Sequence, residues 1–309
     1  MRLAIEFGGT NFKMGLVEEN GNILKQKNIP LRDLLGGGNI LDSILNIIEK
    51  FIESKDIKCG GISSKGLVDH ENGVVLDDVG EGKLIKNIPL GKILSKKYAV
   101  PFVMDNDARC YAWGEWRFLQ EKDINNLTVV TFGTGIGCAS VFDGKMLYGT
   151  DYLSGIMGGH ISICKNGPRC YCGNYGCFEQ YCSKNGLMRI LSSKDLYLGD
   201  VDPIKLFFQR VREKNNGLEN SIFEDFLKNL SIGLTNIIHA YGPDLIILGG
   251  GIMRSADLII NKITKTVDKM AFTVPKGRVK IIQSSLGDKA PLLGAAFHPK
   301  LEKINGYTI

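Results

Sequence analysis

One imidazole and three thiols, His160, Cys170, Cys172 and Cys177, fall within residues 160–177, and no other stretch constrains the fold so strongly. Gly173 and Gly176 lie between the last two cysteines, so the backbone can turn tightly enough to bring four ligand atoms to one centre. A tetrahedral Cys3His set suits Zn²⁺, and four protein ligands leave no coordination position open for chemistry. The spacing therefore predicts a structural zinc site built from these four residues. Glu179 follows the last cysteine by two positions, where such a site can aim its carboxylate.

The chain's 309 residues, 44% of them hydrophobic, are enough for two buried cores. Its formal charge of +5 is scattered. Without a Lys/Arg block, neither nucleic acid nor a membrane surface is an expected partner. The opening MRLAIEFGG reads as an apolar strand broken by glycines, not as a signal peptide. No run reaches the roughly 18 apolar residues that a spanning helix needs. Eight cysteines raise the alternative of a secreted disulfide scaffold. Three belong to the cluster, while Cys59, Cys110, Cys138, Cys164 and Cys182 stand singly in apolar surroundings, so reduced thiols and a cytoplasmic location are expected.

Two segments share a pattern. Leu3–Phe7, Gly8-Gly9-Thr10 and Met14–Val17 read as strand, glycine turn and strand, followed by a hairpin turn at 19–22. Leu127–Val141, with FGTGIG at its centre, reads the same way, and its Phe132 lies 125 residues after Phe7. Short strands are expected in Gly60–Val68 and Pro101–Met104, and another from Asp244 into Gly249-Gly250-Gly251. Apolar spacing predicts helices over Ile40–Ile52 (after a glycine run at 36–38), Ala108–Leu119, 183–191, 203–214 and 221–241, with a terminal helix beginning at Pro291–Phe297. Trp113 and Trp116 share one helical face and are expected in the core.

Gly8, Gly9 and Thr10, and likewise Gly133, Thr134 and Gly135, suit phosphate contact, because glycine lets backbone N–H groups approach an anion and threonine adds a hydroxyl. Glycine turns between strands are also common without a ligand. Glu6 can anchor Mg²⁺, directly or through water, or pair with a nearby lysine. Asn106 and Asp107 stand where a strand becomes a helix. They are either helix caps or a substrate ligand and a general base. Ser63–Gly66 is either an ordinary loop or part of the same cleft. His70, His239 and His298 lack ligand-spaced neighbours and read as structural or exposed.

These pieces, in this order, resemble the ROK family (repressors, open reading frames and kinases) of the actin-like, ribonuclease-H-like ATPase superfamily. The resemblance rests on EFGGT, NDA, FGTGIG, GH…CxCGxxGCxE, LGGG and PLLGAA, and it covers essentially the whole chain. It implies a two-lobed α/β fold around a central cleft with a structural zinc site. The smaller lobe would span 1–118, joined by a C-terminal helix at 290–309, and the larger would span 119–289.

The implied activity is transfer of the γ-phosphoryl of ATP, with Mg²⁺, to a hydroxyl of a hexose or N-acetylhexosamine, the 6-OH. Asp107 is the implied base, and Asn106, His160, Glu179 and Gly66 the implied substrate contacts. His160 would ligate zinc through one ring nitrogen and leave the other for the sugar. Glu6, Gly8, Gly9, Thr10, Asn11, Lys13, Gly133, Thr134 and Gly135 would face the nucleotide phosphates, with Gly249 and Gly250 on the adenosine side. Family analogy implies a homodimer. Three departures stand out: Glu6 replaces the usual aspartate, Asn11 the usual lysine, and SGIMGGH lacks the glutamate expected near Ile156 and Met157. The last removes one sugar contact. The alternatives are a sugar-responsive transcriptional regulator, which would carry a further N-terminal winged helix, and a catalytically silent sugar-binding protein.

Overall fold

A computed structural model describes residues 1–304 except 35–38, 54, 78–83, 122, 150–156, 198, 200–201 and 214–216. The glycine run at 36–38 and the departure at Ile156 lie outside the described residues. The chain opens with β1 (Arg2–Phe7), β2 (Asn11–Val17), β3 (Ile23–Pro30), α1 (Leu31–Leu34), α2 (Ile40–Ile52) and β4 (Cys59–Ser64). Next come β5 (Leu67–Asp69), β6 (Val74–Asp77), α3 (Leu90–Tyr98), β7 (Phe102–Asn106) and α4 (Asp107–Arg117). The middle holds β8 (Asn126–Phe132), β9 (Ile136–Phe142), β10 (Lys145–Met146), α5 (Glu179–Cys182), α6 (Lys184–Ser192), α7 (Pro203–Glu213) and α8 (Gly217–Tyr241). The last elements are β11 (Leu245–Gly249), α9 (Ala256–Met270), β12 (Lys280–Gln283), α10 (Ala290–Ala296) and α11 (Pro299–Ile304).

These elements form two compact units. The first comprises Met1–Lys122, Gly144–Ser154 and Asp288–Ile309; the second, Asp123–Asp143 and Gly155–Gly287. In the first, the strand order β3-β2-β1-β4-β7 joins a three-stranded antiparallel meander to parallel β4 and β7. In the second, β9-β8-β11-β12 repeats the order β2-β1-β4-β7, again with one antiparallel pair followed by parallel neighbours. The repeat read from the two glycine turns is therefore a repeat of topology.

Each unit has its own apolar core. In the first, Leu3, Ile5 and Ile62 of the sheet meet Ile44, Ile48 and Phe51 of α2. That helix forms because its apolar residues recur at helical spacing and Asn39 caps its first turn by accepting from the Leu41 N–H at 2.9 Å. In the second, Val130 and Phe132 pack with Phe178, Phe207 and Leu234. No helix among the described residues is long and apolar enough to cross a membrane. Three local expectations need correction. Trp113 is buried but Trp116 is only half-buried, Cys164 is exposed, and the strand expected at Gly60–Val68 breaks at Gly66, whose φ of 88° requires a left-handed backbone.

Helix α10 sits on the first unit through backbone rather than side chains. A Cβ at Gly294 would lie 1.6 Å from the Cys110 carbonyl oxygen, one at Gly114 2.3 Å from that of Ala290, and one at Gly61 1.8 Å from that of Ala295. We predict that Gly294→Ala lowers stability by about 1–3 kcal/mol or more, since overpacking here can only push α10 off α4. Chemical denaturation against the wild type measures this, and an unchanged midpoint would contradict the packing described.

Candidate active site and metal centre

In the first unit the parallel strands β1, β4 and β7 end side by side, with Phe7 paired to Ser64 and Ser64 to Asn106. The segments leaving these ends carry the expected site residues: Gly8–Asn11, Lys65-Gly66 and Asn106-Asp107. Ligands of open α/β sheets bind at such carboxyl ends. The Gly8 N–H closes the first turn on the Asn11 carbonyl at 2.9 Å, and the Asn11 side chain donates to the Thr10 hydroxyl at 3.0 Å. Among the described residues, the N–H groups of Gly9 and Thr10 have no protein acceptor, the arrangement an anion requires.

Glu6 is buried one residue before this turn. Lys13 reaches its two carboxylate oxygens at 3.3 and 3.2 Å, so the lysine pairing exists. Burial raises the Glu6 pKa against the lowering by Lys13, and the Asp107 and Asp288 carboxylates add to the rise. With both oxygens shared by Lys13, Glu6 fits a magnesium ion through water better than by direct ligation.

Asn106 caps α4. Its Oδ1 accepts from Ala108 N–H at 3.0 Å and Arg109 N–H at 3.4 Å, and its amide donates to the Gly66 carbonyl at 3.0 Å. The capping role is thus real, and it ties Gly66 to the same turn. Asp107 opens the helix, half-buried, with its Oδ1 accepting from Ala108 N–H at 2.9 Å. Burial dominates its environment and pushes its pKa up to about 6, despite the backbone N–H groups, Lys65 and Asn106 acting the other way. Asp105, two residues earlier, is fully buried, yet hydrogen bonding by His298 and the nearness of Arg109 outweigh burial and hold it down to about 2. The two neighbouring carboxylates thus have pKa values driven apart by their surroundings.

In the second unit the Gly133 N–H bonds the Gly135 carbonyl at 3.0 Å, while the first turn of α6 holds the carbonyls of Gly133 and Thr134 through Lys184 and Asn185 N–H. The N–H groups of Thr134 and Gly135 have no protein acceptor among the described residues. Glu179 lies behind this turn: its Oε2 accepts from Ile136 N–H at 2.8 Å, and a Cβ at Gly135 would come within 2.2 Å of that oxygen. Burial raises the Glu179 pKa, and the Ile136 bond lowers it. Gly250, at φ 87°, packs against the Phe132 backbone, where a Cβ would lie 2.6 Å from the carbonyl oxygen; Gly249 is buried at the end of β11.

The four expected metal ligands converge. Their ligand atoms lie within 4.8 Å of one another, with Cys172 Sγ to Cys177 Sγ at 3.6 Å and Cys170 Sγ to His160 Nδ1 at 3.4 Å. Zn–S bonds of ~2.3 Å in a tetrahedron put sulfurs ~3.7 Å apart, so the set fits Zn²⁺. The glycines earn their place: Gly173 and Gly176 have φ of 92° and 64°, and a Cβ at Gly176 would lie 1.7 Å from the Cys164 carbonyl oxygen. Ser162 bridges Cys177 antiparallel and Phe178 N–H bonds the Ile161 carbonyl, which ties the segment after His160 to the segment before Glu179. One expectation changes. The second nitrogen of His160 does not stand open for a sugar; Nε2 meets the Tyr171 hydroxyl at 3.0 Å. Tyr171, a lone aromatic between two ligands, carries no ligand signal in the sequence.

The paired α/β units and the Cys3His centre are those of the actin-like ATPase fold as ROK sugar kinases build it. The ROK family model matches residues 2–300, and the chain belongs to that family. A glucokinase of Thermotoga maritima is 30% identical over 318 aligned positions, 98% of each chain. A xylose repressor of Bacillus subtilis is 32% identical over 256 positions, covering 82% of this chain but 64% of the repressor's length. The solved ROK family glucokinase from Streptomyces griseus, in complex with glucose and AMPPNP, has a TM-score of 0.77 and 26% identity, over 96% of this chain and 97% of that one.

We predict about one zinc per chain, lost or much reduced in Cys172→Ser together with a lower unfolding midpoint. Metal analysis of the purified protein checks it, and a metal-free protein of equal stability would refute the assignment.

Proposed function

We propose that the protein is an ATP-dependent kinase acting on a hexose or N-acetylhexosamine, with the 6-OH as acceptor and Asp107 as general base. The observation that carries this reading is Asp107 itself: a carboxylate at the carboxyl edge of a parallel sheet, with a pKa pushed up to about 6 beside an anchored Asp105. A base so tuned is ionised at neutral pH yet basic enough to take a hydroxyl proton as the bond to phosphorus forms. The glucokinase relatives support the reaction class.

In this reading Asn106, Gly66 and Glu179 are acceptor contacts, while His160, whose Nε2 meets the Tyr171 hydroxyl, serves as a metal ligand. The N–H groups of Gly9 and Thr10, and those of Thr134 and Gly135, are each proposed as phosphate contacts, and Gly249 and Gly250 as adenosine contacts. Glu6 would hold a magnesium ion, whose chemistry there would be charge neutralisation on the phosphates. His160, Cys170, Cys172 and Cys177 would hold zinc, which would clamp the loop that leads to Glu179. The resemblance to a xylose repressor favours a second reading, a sugar-responsive regulator. Such a protein would bind sugar without releasing ADP.

Screening hexoses and N-acetylhexosamines for ADP release tests the kinase, and no turnover on any of them would sink it. Asp107→Asn is expected to lower kcat by about 10²–10⁴-fold. Wild-type kcat/KM should fall about tenfold per pH unit below about 6, as the base becomes protonated. The same substitution has a signed effect on stability. A carboxyl whose folded pKa lies above its ordinary 3.8 favours folding below that value and loses the contribution as pH rises through about 6. At pH 8, Asp107→Asn should therefore be more stable to denaturant than the wild type, by at most about 3 kcal/mol, with the gap closing towards pH 4. A mutant less stable than wild type at pH 8 would contradict this.

A further inference from the structure

Behind the Asn106-Asp107 turn lies a buried polar cluster drawn from three distant parts of the first unit. Asp105, 1% exposed, is its centre. Its Oδ1 accepts from Asn106 N–H at 2.7 Å and Arg109 Nη1 at 3.3 Å. Its Oδ2 accepts from the Tyr148 hydroxyl at 2.8 Å and lies 3.1 Å from His298 Nε2. His298 Nδ1 accepts from Lys300 N–H at 3.2 Å, which leaves Nε2 as the hydrogen-bearing nitrogen and makes it a donor to Asp105. The Tyr148 ring is fixed on both sides, stacked on His70 at 4.0 Å and facing the Arg109 guanidinium at 4.9 Å. One oxygen of Asp105 thus grips the first turn of α4, and the other is gripped by the segment after β10 and by the residue that precedes α11.

We propose that Tyr148 and His298 are positioning residues for the base: through the carboxylate of Asp105 they fix the β7–α4 turn that carries Asn106 and Asp107. Both face the carboxylate of Asp105. Their action is to deny the turn the displacement that its two peptide links to a strand end would otherwise permit. A base misplaced by an ångström costs about 10²-fold in rate. The inference rests on the kinase reading for its catalytic consequence, and on geometry alone for its mechanical one.

Tyr148→Phe removes one hydroxyl and keeps the ring. It is expected to lower kcat about 10–100-fold with KM for sugar and for ATP within about twofold. His298→Leu should do the same, while His298→Gln, which keeps an amide donor towards Asp105, should restore most of the rate. The double variant Tyr148→Phe/His298→Leu should lose less than the product of the single losses, because both act through one carboxylate. Hydrogen exchange supplies the readout that needs no turnover: amides 106–110 in Tyr148→Phe should exchange about tenfold faster, with those of β1 and α2 unchanged. Unchanged exchange at 106–110 overturns the proposal, whatever the kinetics. So does wild-type kcat in both single variants of an active enzyme, or a kcat loss in His298→Gln equal to that in His298→Leu. If the wild type turns over no sugar, the kinase reading fails by itself, and exchange still decides whether the network holds the turn.

Discussion

The first unit depends on helix α10 lying against bare backbone. Gly61, Gly114 and Gly294 each face a carbonyl at a distance that no side chain tolerates, so α10, α4 and β4 come together closer than packed side chains allow. That approach carries Phe297 and His298 inward. The Phe297 carbonyl accepts from the Trp113 indole at 2.6 Å, and Arg2 faces the Phe297 ring at 4.3 Å. The buried Arg2 also reaches the Ala296 carbonyl and Glu19. The first strand, the helix behind the proposed base and the last helices are therefore one packed body.

The electrostatics of the β7–α4 turn follow from this packing. Asp105 has partners on both oxygens, whereas the backbone N–H groups, Lys65 and Asn106 around Asp107 do not offset the cost of its burial. The contrast between neighbouring carboxylates comes from where the chain's distant segments end up, not from either residue's identity. Glu6 shows the same logic from the other side, since Lys13 arrives across the hairpin, in register with it on β2.

Much of this was legible in the sequence because the signals are local. Glycine turns after apolar runs, the spacing of α2 and the Cys3His cluster each depend on a few neighbours, and so does the capping position of Asn106. The long-range network was not legible. Tyr148 and His298 lie 43 and 193 residues from Asp105, and neither residue type carries a motif. Tyr171's bond to His160 was hidden for a related reason: an exposed tyrosine between two cysteines has no periodicity to betray it. Gly250 and Gly135 were read for a ligand's sake, and both also have an internal reason, the Phe132 backbone and the Glu179 carboxylate. Trp116 missed the core because its helical face turns partly to solvent one turn beyond Trp113.

The division of the chain has a consequence for the order of its assembly. The second unit has all its residues once Gly287 is made, although its N-terminal piece must wait while Gly144–Ser154 returns to the other unit. The first unit, though its sheet begins at Arg2, lacks α10 until translation reaches Asp288–Ile309. A ribosome making this chain therefore exposes the opening sheet, with β4 and α4 uncovered on one face, throughout the synthesis of the other unit. The part made first is the part completed last.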